Sequence, residues 1–156
     1  MGTRVLHVVA FIVAIGCTVT GQQADGEIIA IQGWSGAGIE YGSGNGLNVG
    51  YDFTVGDTPI LVTKLGVYDY GADGLGQSHD VGIWNVAVSS STPLVSATVL
   101  SGTGSPAEGP VINNAGQFRF VELDSALALD ANTTYRIGAY YGNTSDVHVR
   151  TPLGDT

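Results

Sequence analysis

Positive charge is scarce in this chain. Five Lys and Arg stand against 14 Asp and Glu, a formal net charge of −9. Neutralising phosphates takes cations, so nucleic acid is excluded as a partner. Charge of either sign is thin: 12% of 156 residues, about half the usual ~25%. There is one cysteine, Cys17, and it sits in the N-terminal apolar segment. No disulfide framework can therefore hold the rest of the chain. Apolar runs long enough for a membrane helix, which needs ~20 residues, are missing as well. So are the strings that carry common chemistries: no Gly-x-Ser-x-Gly, no His-Glu-x-x-His, no P-loop and no Rossmann glycine set.

What the chain has is glycine. There are 24, about twice the usual ~7%. That load opposes helix bundles and coiled coils, because glycine costs about 1 kcal/mol in a helix interior. The hydrophobic fraction of 44% is ordinary for a folded domain and excludes wholesale disorder.

Residues 1–21 have the layout of a secretory signal peptide. Arg4 supplies the positive start, Val5 to Val19 is mostly apolar, and Thr20 and Gly21 are small. Cleavage after Gly21 is expected, leaving 135 residues, no cysteine and a charge of −10. Ala14-Ile15-Gly16-Cys17 also resembles a bacterial lipobox, and lipid anchoring through Cys17 is the minor alternative. The expected location is secreted or on the bacterial cell surface, with no transmembrane helix in the mature chain.

From residue 25 to 156 a single domain is expected. Short apolar runs alternate with Gly, Asp, Asn, Ser and Pro, which is the pattern of an all-β sandwich. Strands are predicted over residues 27–32, 49–55, 60–68, 81–88, 94–100, 117–123 and 134–141, with a short last one over 147–150. Ile60 and Val62 share one parity, Leu65 and Val67 the other. One face can bury both sets only if a bulge lies near Thr63-Lys64. Residues 33–48, 69–78 and 101–116 are predicted to be loops. Residues 125–129 suit a helical turn and a strand equally well. Both faces of the 81–88 strand carry apolar residues, so Trp84 is expected to pack inside.

The run Tyr51-Asp52-Phe53-Thr54-Val55, then Leu65-Gly66-Val67-Tyr68-Asp69, Asp73-Gly74-Leu75, His79 and Val81-Gly82-Ile83-Trp84 forms a distinctive series. It closes with Gly116-Gln117-Phe118-Arg119-Phe120-Val121 and Thr134-Tyr135-Arg136-Ile137-Gly138-Ala139-Tyr140-Tyr141. This series resembles the DUF4082-like extracellular domains of bacterial exported proteins, many of which carry a C-terminal PEP-CTERM sorting signal. The resemblance implies a jelly-roll-like antiparallel β-sandwich working outside the cytoplasm, and implies no activity. No such sorting signal precedes Thr156, which leaves two expectations open: a short member of the series, or a truncated product lacking a C-terminal strand.

Two candidate sites follow from the residues. Asp69, Asp73 and Asp80 flank a Gly-rich loop and could converge on Ca²⁺, a hard cation that takes several oxygens. Trp34 and Tyr41 lie in the 33–48 loop and could stack on sugar rings of an extracellular polysaccharide or surface matrix. His79 is expected to bond a backbone carbonyl or a carboxylate rather than to act as a base. The function expected is an exported, non-catalytic surface, matrix or binding module. The alternatives are a carbohydrate-binding module and a small glycan-acting enzyme.

Overall fold

The computed structural model describes residues 13–19, 28–29, 39–41, 46–88, 91–112, 115–142, 146 and 148–150. Side chains are described for 46–88, 91–112, 115–142, 146 and 148. The strands are β1 (Val13–Val19), β2 (Ile28–Ile29), β3 (Ile39–Tyr41), β4 (Leu47–Thr54), β5 (Ile60–Tyr70) and β6 (His79–Asn85). They continue as β7 (Val95–Val99), β8 (Ala107–Ile112), β9 (Gly116–Leu129), β10 (Thr134–Tyr141) and β11 (His148–Arg150). One sheet runs β2-β1-β5-β9-β8, a second runs β4-β10-β6-β7, and β11 pairs with β3. Every pairing is antiparallel. The fold is an all-β, jelly-roll-like sandwich. Among the described residues no helix is long and apolar enough to cross a membrane.

Period-2 patterning builds the core between the two larger sheets. On β10, Tyr135, Ile137, Ala139 and Tyr141 are buried, while Arg136 and Tyr140 are exposed. Val81 and Ile83 of β6 join them from the next strand. Val62, Leu65, Val67 and Leu129 close the core from the five-stranded sheet. Val62 and Leu65 have opposite parity, and both are fully buried because Thr63 is the extra residue where β5 pairs with β1. The bulge adds one residue and returns the pattern to the same face. On the opposite face of this sheet Tyr68, Phe118 and Phe120 form a second aromatic cluster, with Tyr68 and Phe118 edge to face at 5.5 Å.

Two of the expected loops contain strand: β3 lies within 33–48 and β8 within 101–116. Residues 101–116 are not all loop: β8 pairs with β9, and its Glu108 carboxylate takes the Lys64 ammonium at 2.8 Å. Gly109 and Pro110 mask the strand in sequence, and β8 tolerates them because it is an edge. Of the two conformations open for 125–129 the chain takes strand, as the end of β9. Within the span read as a leader, β1 takes the place between β2 and β5. Removing residues 1–21 would leave β5 without that neighbour.

Candidate ligand-binding face

The four-stranded sheet has an outer face of unusual make-up. Outward positions alternate as Asn48, Gly50 and Asp52 on β4, Asp80, Gly82 and Trp84 on β6, and Arg136, Gly138 and Tyr140 on β10. Gly50 pairs with Gly138, Gly138 with Gly82, and Gly82 with Ser96. A row with almost no side chains therefore crosses four strands. It floors a groove of about 1070 Å³ whose lining includes Asn48, Asp80, Trp84, Ser96, Arg136 and Tyr140. The volume is that of a small-ligand site.

Glycine in this row sets how Trp84 lies. A Cβ on Gly82 would sit 2.8 Å from Trp84 Cη2 and 3.1 Å from Cζ3. A Cβ on Gly138 would sit 3.7 Å from Cζ3. The indole is thus folded down onto bare backbone, and it buries Gly82 beneath it. Its Nε1–H donates to the Ser91 carbonyl at 3.3 Å, which fixes the ring's orientation. Trp84 is half-buried on the outer face and not in the core, contrary to the sequence expectation. Its strand neighbours Val81 and Ile83 already fill the inner face, and the apolar residues of opposite parity, Trp84 and Val86, line the groove.

Tyr140 repeats the arrangement at the other side of Gly138. A Cβ on Gly142 would lie 3.2 Å from Tyr140 Cε1, and one on Gly46 would lie 3.8 Å from its hydroxyl. The Tyr140 side chain is 47% exposed. Each aromatic therefore rests on two glycines and turns a ring outward.

Charges at the groove are largely spoken for. Arg136 Nε and Nη2 donate to the two Asp52 oxygens at 2.6 and 2.9 Å. That fork holds the Asp52 carboxyl below the usual carboxylate range, chiefly through the hydrogen bond, and raises Arg136 in turn. Asp80 is exposed and accepts from Thr98 Oγ1 at 2.6 Å.

The three aspartates considered for calcium face different partners. Asp69 is 2% exposed and points inward, where Oδ2 accepts from Arg119 Nε at 2.7 Å and from the Gly74 amide at 3.0 Å. Arg119, 5% exposed, also donates Nη1–H to the Ser105 carbonyl at 3.1 Å. Asp73 is exposed on the loop, and Asp80 belongs to the other sheet's outer face. Among the described residues no three His, Cys, Asp or Glu side chains gather as metal ligands.

A second buried polar cluster pins the 71–78 loop. Fully buried His79 has Nδ1 3.0 Å from the Tyr140 carbonyl and Nε2 3.0 Å from Asp146 Oδ2. Asp146 also accepts from the Gly76 and Gln77 amides at 2.7 and 3.0 Å. Burial pushes the Asp146 carboxyl up. The His79 hydrogen bond, the Gly76 amide, the His79 charge and the Gln77 amide outweigh it and hold the group below its ordinary range. His79 has the carbonyl-and-carboxylate partners expected of it. Its ring lies 4.3 Å from that of Tyr141.

Trp34 lies outside the described residues. Tyr41 is described only through the backbone of β3, where it pairs with His148. The sequence alone placed Trp84 inside and favoured Trp34 and Tyr41 over Tyr140, and it did not reveal the glycine row. The legible signal was that Gly50, Gly82 and Gly138 share parity with exposed polar residues, not with the core set. Comparison with known proteins finds no matching family, no matching curated protein and no matching solved structure.

Proposed function

We propose that this chain is an extracellular, non-catalytic binding module whose ligand is a glycan held on the outer face of the four-stranded sheet. The observation that carries the reading is the pair of rings, Trp84 and Tyr140, each laid on glycines beside exposed polar groups. Sugar rings have apolar faces edged by hydroxyls. A flat aromatic takes the face, while Asn48, Asp80 and Ser96 offer donors and acceptors for the edges. The leader-like residues 1–21 and the resemblance to exported bacterial domains support the location, and the partner would be an extracellular polysaccharide or a surface matrix.

Charge supports binding over cleavage. Glycoside hydrolysis needs one carboxyl that is protonated near neutral pH and a second facing it across the bond. Asp52 is clamped by Arg136 and held low, which makes it a poor proton donor. Asp80 is the one acid lining the groove among the described residues. Affinity electrophoresis through gels containing neutral polysaccharides tests the reading. Retardation by at least one polysaccharide, lost in Trp84→Ala, is expected. Mobility unchanged in every gel, or retardation indifferent to Trp84→Ala, would overturn it.

A further inference from the structure

We infer that the two rings are the end positions of one linear site, built for three consecutive units of an uncharged glycan lying along β10. The inference rests on the glycan reading above and adds the length, direction and charge of the ligand.

Direction comes from register. Trp84 is paired with Arg136, and Tyr140 lies four residues further along β10. At ~3.3 Å per residue along a strand and ~4.8 Å between strands, the two positions stand about 14 Å apart. No single sugar ring spans that gap. Between the rings the floor is Gly50, with Gly138 at the edge of the Trp84 indole. A chain laid along β10 would stack one unit on Trp84, pass a middle unit over Gly138, and stack a third on Tyr140. Asn48 and Asp80 flank the Tyr140 end, and Ser96 lies across from Gly82, each placed for hydroxyl groups.

Charge on the ligand follows from the surroundings. The Arg136 guanidinium has Nε and Nη2 committed to Asp52, so it does not offer its fork to a sugar carboxylate or sulfate. Asp80 lines the groove, and the whole chain carries −9. An acidic glycan would meet repulsion with no compensating cation.

Glycine supplies a control that leaves the fold intact. Gly138 has no positive φ, and a Cβ there meets nothing closer than Val49 O at 3.5 Å. Gly138→Ala should fold normally yet put a methyl against the edge of the Trp84 indole, where the middle unit would pass.

The experiment is calorimetric titration with linear oligosaccharides of glucose, mannose and xylose, one to six units long, and with galacturonate oligomers of the same lengths. In the best neutral series, affinity should rise about tenfold or more from two units to three and then level, since a second stacked ring is engaged only at three. Trp84→Ala and Tyr140→Ala should each abolish that step, and removing both should weaken binding further than either alone. Gly138→Ala should weaken the three-unit ligand several-fold with an unchanged melting curve. Neutral binding without a step at three, a step that survives both ring substitutions, indifference to Gly138→Ala, or preference for galacturonate would each overturn this inference while leaving a glycan module standing. Failure of every oligomer and every polysaccharide would remove the glycan reading itself.

Discussion

Replacing Asp69 should unfold this domain more readily than replacing any other acid of the 69–80 region, and for a reason unrelated to metal. The Asp69 carboxylate is buried and receives both the Arg119 Nε–H at 2.7 Å and the Gly74 amide. Asp69→Asn keeps the shape and removes the charge, which leaves a guanidinium 5% exposed without its carboxylate and with the Ser105 carbonyl still accepting from Nη1. Breaking a buried pair from one side costs about 3–5 kcal/mol, because the surviving charge is uncompensated. For a domain of this size that corresponds to a Tm lower by roughly 10–15 °C. Asp73→Asn, on the exposed loop, should stay within about 0.5 kcal/mol of the parent. Asp69→Leu combined with Arg119→Met should recover most of the loss, since a well-packed apolar pair avoids desolvating either ion. Urea unfolding followed by tryptophan fluorescence measures all three. The same melts run with millimolar calcium and with chelator should coincide, because the Asp69 oxygen is committed to Arg119. Equal losses at Asp69 and Asp73, together with a Tm raised by calcium, would refute the reasoning and restore the metal.

Further expectations concern acid, glycine and the leader. Asp146 is held below its ordinary range, so its contribution to stability is complete above the unfolded value near ~3.9 and is lost as pH falls through the lower folded value. Urea midpoints between pH 6 and pH 2 should therefore fall more steeply for the parent than for Asp146→Asn, and parallel curves would contradict the assignment. Gly50→Ala should destabilise by several kcal/mol, because its Cβ would run into the Ile137 carbonyl, whereas Gly138→Ala should be near neutral; thermal melts separate them. Gly82→Ala should prop the Trp84 indole off the sheet and change its fluorescence with little loss of stability. If the leader is removed as expected, intact-mass measurement of the exported protein should show a chain starting at Gln22. A mass retaining residues 13–19 would instead make β1 a permanent strand.

Much of the sandwich was legible because its inner faces obey a strict period. Tyr135, Ile137, Ala139 and Tyr141 declare one side of β10, and the parity break between Val62 and Leu65 announced the bulge at Thr63. β8 was hidden because its Gly and Pro read as turn signals, and only its place at a sheet edge makes them acceptable. The groove was hidden for a different reason. An aromatic residue on a strand carries no local mark of whether it packs inward or lies on glycines outside, and the pairing of Gly50, Gly138 and Gly82 is a long-range property of register. Likewise, Asp69 reads as a loop acid until Arg119, fifty residues on, is placed beside it.

The most direct test of the account is amide chemical-shift mapping of the labelled domain against the three-unit neutral oligosaccharides. Shifts should concentrate at Gly50, Gly82, Gly138 and the Trp84 indole N–H, with the β5–β9 amides unmoved. Shifts centred on the five-stranded sheet or on the 69–78 loop would contradict it, as would a spectrum unchanged by every sugar.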